Sequence, residues 1–447
     1  MSKFKKVLKS VCLVCAAAML AILPVGCNDG GQTSSSVTNG AGNPYLPAFD
    51  RTKYFYGAGE LASEVGPKND WRDEGVTMEW TSKTAGAMGT QSQRVWMHLN
   101  TVIKRAEKSN DLSLIESECD KYHEYFARLK AAGVQRILVM NHRYIYPYGY
   151  NPGTTATVPE PLKDYEVYKQ WLEIYSECYR MLATEFPEID FWECGNEFDL
   201  ADFMHKSDYN QDKNNNMYTA PEAAAITADL CYAANKGVKS VDNYNFIVLP
   251  GLSQYAQSTF LESIYSAIES KKYPTLEETY VTDPDKYFDV LAWHCYPLNA
   301  KSCGGDFENG LKLFKERGLA LYDVAKKHGD GEKRVFLTEI GITEASIGDV
   351  GLEKTQKDMA SYAMRMLDIV ENDMPFIETC YWFRYSNCYS RYVSEGENNF
   401  GIFYSPDDLV NRGKPKPIAI ALYKRMHGEN ADLSPLYWYS DQFGVER

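Results

Sequence analysis

Short apolar segments alternate with longer amphipathic segments along most of the chain, and this alternation constrains the fold more than any other feature. The predicted strands are residues 53–57, 94–99, 136–141, 190–196, 245–251, 289–297, 334–341 and 378–385. The clearest predicted helices are residues 113–132, 165–186, 220–239, 307–328 and 353–373. Eight strands alternating with helices predict an α/β fold with a parallel sheet closed into a (β/α)8 TIM barrel. The first crossover, residues 58–93, is Gly-rich and weakly periodic, so no helix is assigned there.

The bulk composition agrees with one large folded body. A chain of 447 residues can form one large barrel or two smaller domains, and no break in composition follows Pro47, which favours a single domain. The formal charge is -14 and no basic run occurs beyond the N-terminus, which argues against a nucleic-acid partner. The 33 Tyr and 8 Trp residues suit sugar binding, and they equally suit an ordinary core.

The N-terminus has the pattern of a targeting segment. A lysine-rich stretch precedes the apolar run VCLVCAAAMLAILPV, which leads to Gly26 and Cys27, so residues 1–26 are predicted to be a signal peptide. This end resembles the lipobox of bacterial lipoproteins, although Pro24 stands where Leu is usual. The resemblance implies lipidation of Cys27 and an exported protein, anchored to a membrane at the cell surface or outer membrane. Residues 27–49 have the composition of a flexible tether. The barrel is predicted for residues 50–430, with a C-terminal extension at 431–447.

The cysteines do not form a metal-binding pattern. Cys194, Cys295 and Cys380 lie inside predicted strands, where a lone cysteine behaves as a small apolar residue, whereas Cys303 and Cys388 lie in predicted loops. Neither a CxxC pair nor a His/Cys cluster at zinc spacing is present. We therefore expect no metal and no cofactor.

Polar side chains stand at the ends of the predicted strands, where a barrel carries its catalytic groups. They are Arg94, His98, His142, Asn196, Glu197, His294, Tyr296 and Glu339, followed by Trp382. Glu197 and Glu339, from the fourth and seventh strands, can converge across the mouth of a barrel, whereas on an open sheet they would be solvated rim charges. Two carboxyl groups about 5–5.5 Å apart are what retaining glycoside hydrolysis requires.

In this ordered set the sequence resembles the barrels of glycoside hydrolase clan A, and most of all their family-five members. WECGNE is similar to the acid/base motif of that clan, and TEIG to its nucleophile strand. The resemblance implies that Glu197 is the acid/base and Glu339 the nucleophile. It also implies roles for polar residues at the other strand ends. Asn196 would bind a sugar hydroxyl, Arg94 would position the nucleophile and Trp382 would form the floor of a sugar subsite. Substrate-binding roles are likewise implied for His142, His294 and Tyr296.

Physical arguments support these roles without excluding simpler ones. Arg94 and the Tyr296 hydroxyl would keep Glu339 ionised, while burial and the Glu339 charge would raise the pKa of Glu197. Period-two alternation sends His294 and Tyr296 to one face and Cys295 to the other. In the simpler reading Glu339 is a surface acid, the histidines are structural, Trp382 belongs to the core and Arg94 pairs with another acid.

The sequence leaves three functional alternatives. The leading hypothesis is a retaining hydrolase of a β-linked glucan, xylan or mannan, or of its oligosaccharides. The second is a non-catalytic glycan-binding surface lipoprotein, and the third is transglycosylation through the same intermediate. The loop RYIYPYGYNPG places tyrosines at alternate positions from Tyr144 to Tyr150, either as an aromatic wall for further sugar units or as packing of a long loop.

Overall fold

The computed structural model describes residues 48, 57–58, 76–152, 154, 156–206, 217–242, 245–253, 258–270, 281–296, 307–347, 351–387 and 399–447. These residues belong to one compact unit within residues 39–447. The predicted signal peptide and tether lie outside the described residues, apart from Ala48, and so do residues 53–56 of the first predicted strand. Cys27, Cys303 and Cys388 also lie outside them.

Eight parallel strands form one sheet in the order β1-β10-β9-β8-β7-β6-β5-β2. They are β1 (Gly57–Ala58), β2 (Ser92–His98), β5 (Arg136–His142), β6 (Phe191–Glu193), β7 (Phe246–Val248), β8 (Val290–His294), β9 (Arg334–Ile340) and β10 (Ile377–Trp382). The hydroxyls of Ser92 on β2 and Tyr381 on β10, the strand next to β1, are 2.7 Å apart, so the two edges of the sheet lie together. The predicted (β/α)8 barrel is therefore confirmed. A two-stranded antiparallel hairpin, β3 (Ile103–Arg105) and β4 (Leu112–Leu114), follows β2.

A long helix follows each barrel strand. These helices are α1 (Met78–Met88), α3 (Glu116–Ala131), α4 (Tyr165–Glu185), α5 (Ala220–Lys239), α6 (Ser258–Ser270), α7 (Phe307–Lys327), α9 (Leu352–Asn372) and α10 (Pro417–His427). Two single-turn helices accompany them, α2 (Leu99–Val102) and α8 (Glu344–Ile347). Across the described ranges, none of the helices combines the length and the apolar character that crossing a bilayer requires.

Helix α1 lies in the crossover where the sequence pattern did not indicate one. Thr77 caps the N-terminus of this helix, because its hydroxyl accepts a hydrogen bond from the Trp80 amide at 3.1 Å. The helix ends at Gly89, where φ is +72°. Its buried face includes small and hydroxylated residues such as Thr81, Ser82 and Thr84. Because these residues are not apolar, the 3.6-residue periodicity that identifies a helix is absent from the sequence. Helix α6 was likewise not among the clearest predicted helices.

The apolar core has an inner and an outer part. The inner cluster fills the barrel and consists of Leu138, Phe191, Phe246, Val248, Val290, Ala292, Phe336 and Tyr381. The larger outer cluster joins the strands to the helices and includes alternate residues of the same strands, such as Trp192, Trp293 and Leu337. The two clusters show which side of each strand faces the barrel interior.

Strand β9 contains a β-bulge that determines the direction of one predicted catalytic residue. On β8, Trp293 pairs with Leu337 and the next residue, His294, pairs with Glu339, so Thr338 is the extra residue. The pairing with β10 shifts at the same place. Leu337 and Ile340 both belong to the outer cluster although three residue steps separate them. The bulge therefore allows Glu339 to face the interior directly after Thr338.

The residues after α10 pack against α1. Leu436 and Tyr437 are buried, and the Lys83 ammonium of α1 lies 5.1 Å from the ring centre of Trp438. The predicted extension, residues 431–447, is therefore in contact with the outer face of the barrel.

Candidate active site

Glu197 and Glu339 meet at the carboxyl end of the barrel, beside His294 from the end of β8. His294 Nδ1 lies 2.8 Å from Glu197 Oε1 and 3.4 Å from Glu339 Oε2. One atom from each of the three side chains lies within 4.8 Å of the other two. The two acids, 142 positions apart in the chain (339 minus 197), thus face one another closely enough to act on a single atom of a bound molecule.

Glu339 accepts hydrogen bonds from two of the predicted partners. Arg94 Nη1 donates to Oε1 at 2.7 Å, and the Tyr296 hydroxyl donates to Oε2 at 2.7 Å. Cys295 belongs to the outer cluster, so the alternation predicted for this strand end places His294 and Tyr296 together on the site side. The arrangement holds both oxygens of Glu339 in fixed directions and favours its ionised form.

Arg94 has a second buried acid partner, Glu193, which the sequence analysis did not identify. Both side chains are fully buried, and Arg94 Nε donates to Glu193 Oε2 at 2.6 Å. Glu193 Oε1 accepts a hydrogen bond from the Gly251 amide at 3.0 Å. Arg94 Nη2 donates to Asn196 Oδ1 at 2.8 Å, which orients the amide group of Asn196. The acidic residue inside the apolar segment FWEC was the available sequence signal.

Glu197 is presented by a sharp turn at the end of β6. Its φ is +43°, in the left-handed region that costs a non-glycine residue about 1–2 kcal/mol. The Glu197 amide donates to the Gly251 carbonyl at 2.9 Å, which holds this turn against the segment after β7. Gly195 has φ of +132°, and a Cβ there would lie 2.0 Å from the Phe198 ring. A turn at Gly-Asn-Glu is thus compatible with the acid/base role that the resemblance implies for Glu197.

The surroundings displace the pKa values of the two acids in opposite directions. Burial raises the pKa of Glu197, and the negative charges of Glu339 and Asp199 add to this, while the hydrogen bond with His294 opposes it. Burial would also raise the pKa of Glu339, but the positive charges of His294 and Arg94 and the hydrogen bonds from Tyr296 and Arg94 bring it below its ordinary value. One acid is therefore suited to hold a proton while the other is ionised.

His294 carries a proton more readily than an ordinary histidine. Its burial lowers the pKa, but the negative charge of Glu339 and the hydrogen bond and charge of Glu197 raise it above the ordinary value. The side chain is fully buried between the two acids. A positively charged imidazole in this place would reduce the repulsion between the two carboxylates.

His142 stands at the end of β5, next to His98 at the end of β2. The two ring centres are 6.1 Å apart, and the Phe203 ring lies 5.5 Å from that of His142. Burial lowers the pKa of His142 to about 3, and the charges of Arg143 and His205 add to this. His142 is thus a neutral imidazole at this end of the barrel, and its substrate-binding role stays a prediction.

Trp382 does not face the site. It is 1% exposed and belongs to the outer cluster, whereas Tyr381 before it lies in the inner cluster. This placement does not fit a sugar-stacking floor. The half-buried ring that lies beside the site is Phe383, 6.3 Å from the Tyr296 ring and 5.3 Å from the Phe400 ring. Assigning the subsite floor to the residue after Trp382 would have identified Phe383.

The predicted tyrosine loop divides between the two readings. Tyr144 is buried, 4.9 Å from the Trp171 ring, and Tyr146 donates its hydroxyl to the carbonyls of Thr154 and Thr157. Tyr148, in contrast, is 54% exposed. Packing of the loop therefore accounts for the first two tyrosines and does not account for Tyr148.

Glu197, His294 and Glu339 are residue types that can ligate a divalent metal. The 2.8 Å between His294 and Glu197 is a hydrogen-bond distance, however, and is shorter than the separation of about 3.4 Å between two ligands of a tetrahedral zinc ion. His294 and Glu197 are thus arranged for bonding to each other. The absence of a metal and a cofactor stays a prediction.

Comparisons with known proteins identify glycosidase barrels among solved structures. The chain matches neither a protein-family model nor a curated protein sequence. It is similar to a xyloglucan-specific endo-β-1,4-glucanase of family GH5 from a metagenomic library, solved in complex with cellotriose, with a TM-score of 0.54, 14% identity, 83% of this chain covered and 96% of the other. It is also similar to a glucosidase from Croceicoccus marinus, with a TM-score of 0.53, 13% identity, 87% of this chain covered and 69% of the other.

A third similar structure is a family 39 glycoside hydrolase from the gut symbiont Bacteroides cellulosilyticus WH2, with a TM-score of 0.52, 13% identity, 85% of this chain covered and 65% of the other. At such low identities the likeness establishes the fold. The shared architecture is the (β/α)8 barrel described above.

Proposed function

We propose that the protein is a retaining glycoside hydrolase of clan A that cleaves a β-linked glucan, xylan or mannan, or its oligosaccharides. The observation that carries this proposal is the approach of Glu197 and Glu339 to within 4.8 Å, measured between one oxygen of each. This upper limit on their closest approach lies near the spacing of about 5–5.5 Å in retaining enzymes and well below the spacing of about 6.5–9.5 Å in inverting enzymes.

In the proposed first step, the ionised Glu339 attacks the anomeric carbon while Glu197 protonates the leaving oxygen. Arg94 and Tyr296 hold the Glu339 oxygens, so the attacking carboxylate is already oriented before the sugar arrives. The C–O bond to the leaving group breaks as the ester bond to Glu339 forms.

In the proposed second step, Glu197 acts as a base. Once Glu339 is an ester its negative charge is gone, and a charge that raises the pKa of Glu197 disappears with it. Glu197 can then take a proton from water, which attacks the anomeric carbon and releases Glu339. A sugar hydroxyl in place of water would give transglycosylation.

The neighbouring side chains support sugar binding at the same place. Asn196 is held by Arg94 beside the two acids, and we propose that its NH2 group binds the sugar hydroxyl next to the reacting carbon. Phe383 and Phe400 offer apolar ring surface near Tyr296. The solved barrels to which the chain is similar include a xyloglucan-specific endo-β-1,4-glucanase, which supports a β-glycan substrate.

A substrate screen with matched variants tests the proposal. Fluorogenic β-glucosides, β-xylosides and β-mannosides, and their disaccharide forms, are expected to include a substrate for the wild-type protein, and Glu339→Ala should abolish its turnover. Glu197→Ala should lower turnover by about 10²–10⁴-fold for a poor leaving group, and much less for 2,4-dinitrophenol, which needs no proton. Trapping with 2-fluoro glycosides should place the label on the peptide that contains Glu339.

The control variant is Glu378→Gln, which alters a buried glutamate that bonds to Arg334 at the other end of β9 and β10. Its turnover should stay near the wild-type value. Equal turnover by wild type and Glu339→Ala would refute the catalytic proposal and favour a non-catalytic glycan-binding protein.

We also propose that the protein is exported and anchored to a membrane through a lipid on Cys27, on the strength of the N-terminal sequence pattern. Metabolic labelling with an alkyne fatty acid should mark the wild-type protein and leave Cys27→Ala unlabelled. Equal labelling of both proteins, or labelling of neither, would contradict the anchor.

A further inference from the structure

Tyr148 is an exposed aromatic side chain whose position is unusually well fixed. It stands in the turn Pro147–Tyr150, where the Tyr150 amide donates to the Pro147 carbonyl at 3.1 Å. Gly149 has φ of +85°, as the third position of a type II turn requires. The Tyr148 amide donates to Asn110 Oδ1 at 2.6 Å. The backbone that carries the ring is thus tied both to its own turn and to another loop.

The ring itself is supported by Arg105, the last residue of β3. The guanidinium carbon lies 5.6 Å from the ring centre, within cation–π distance. Arg105 Nη1 is held in turn by hydrogen bonds to the carbonyls of Ala106 at 2.6 Å and Ser109 at 2.9 Å. The hairpin β3–β4 therefore acts as a support for Tyr148, which still has 54% of its surface exposed.

Both segments that fix Tyr148 lie on the same end of the barrel as the two acids. The hairpin follows the end of β2 at His98, and the Tyr148 turn follows the end of β5 at His142. The carboxyl ends of parallel barrel strands share one face. Tyr148 stands six positions after His142, so their Cα atoms are at most about 22 Å apart.

We propose that Tyr148 is a sugar-stacking platform that binds a pyranose ring of the glycan chain, outside the subsites on either side of the cleaved bond. This inference rests on the proposed function and extends it to a substrate of several sugar units. A tyrosine ring offers a flat apolar face to the C–H face of a pyranose and a hydroxyl to its polar rim. Because the ring is already held, little conformational entropy is lost when the sugar binds.

Binding to a catalytically inactive variant tests the platform separately from turnover. Cellohexaose, xylohexaose and mannohexaose are titrated into Glu339→Gln by isothermal calorimetry, and at least one should bind. Adding Tyr148→Ala should raise the dissociation constant of that hexasaccharide by up to about tenfold, which is the scale of one aromatic stacking contact. Tyr148→Phe keeps the ring and should stay within about twofold. The corresponding disaccharide should bind equally with or without the Tyr148 ring.

Phe443 provides the matched control. It is 47% exposed and lies 4.8 Å from the Arg412 guanidinium, so it is also an exposed ring beside an arginine, but it belongs to the C-terminal segment. Phe443→Ala should leave hexasaccharide binding unchanged. The platform would be refuted if Tyr148→Ala bound as tightly as its parent, if Phe443→Ala weakened binding equally, or if none of the hexasaccharides bound. In each case turnover of aryl glycosides and trapping at Glu339 would still report on the proposed function independently.

Discussion

The buried carboxylate of Glu193 is expected to support both the stability of the barrel and the position of Glu339, the proposed nucleophile. It accepts hydrogen bonds from Arg94 at 2.6 Å and from the Gly251 amide at 3.0 Å, with no exposed surface. In Glu193→Gln the side chain keeps its shape, but only one of its two terminal atoms can still accept. Its NH2 group must then face either the Arg94 Nε–H or the Gly251 N–H, so a buried donor loses its acceptor.

The size of the effect follows from those two contacts. Loss of a hydrogen bond to a charged group costs about 1.5–3 kcal/mol, and an unsatisfied buried donor about 1–3 kcal/mol more. Their sum, about 4 kcal/mol, agrees with the cost of breaking a buried ion pair. With an unfolding entropy of about 2.1 cal/mol/K per residue over roughly 400 residues, the Tm should fall by about 5 °C. Arg94 would also be drawn toward Glu339, its remaining anionic partner, and kcat should fall about tenfold or more.

Thermal unfolding and steady-state kinetics of two matched variants measure both effects. Glu378→Gln breaks a buried arginine–glutamate contact at the start of β9 and β10, in which Arg334 Nε lies 2.8 Å from Glu378 Oε2. Both variants should unfold at lower temperature, but only Glu193→Gln should lose kcat. The reasoning would be wrong if Glu193→Gln kept the wild-type Tm, or if Glu378→Gln lost as much kcat.

Three further predictions concern the two acids and His294. The pH dependence of kcat/KM should be bell-shaped, because activity is lost as the pH falls through the lowered pKa of Glu339 and as it rises through the raised pKa of Glu197. In Tyr296→Phe the ionised Glu339 loses a hydrogen bond, so the pKa of Glu339 should rise and the acid limb of the profile should move to higher pH. An acid limb at the wild-type pH would contradict this contact. Gly251→Ala would place a Cβ 2.1 Å from His294 Nε2, so it should lower turnover strongly, and wild-type turnover in the purified variant would contradict the packing at this position.

The sequence predicted the barrel and the meeting of the acids because both depend on regular patterns. Parallel strands bring their carboxyl ends to one face, so Glu197 and Glu339 could be placed together without knowing any contact between them. The alternation at the end of β8 was equally regular, and it correctly separated His294 and Tyr296 from Cys295.

Other features depended on contacts that no local pattern contains. Glu193 lies 99 positions from Arg94 in the chain, and only the curvature of the sheet brings them together. Trp382 was assigned by resemblance, whereas the alternation from the inward-facing Tyr381 directs it to the helices and leaves Phe383 beside the site. Half of the buried residues of α1 are Thr or Ser, so the helix could not be recognised from its apolar residues.

The bulge at Thr338 decides which side of β9 carries the Glu339 side chain. With Phe336 facing inward, a regular strand would turn residue 339 toward the helices, and one surplus residue reverses that outcome. If β9 kept its length but ran regularly through Thr338, the carboxylate of Glu339 would turn toward the helices, out of reach of Arg94, and that guanidinium would keep Glu193 as its acidic neighbour. The position of the surplus residue, and not only the spacing of the two acids along the chain, therefore decides whether their carboxylates meet.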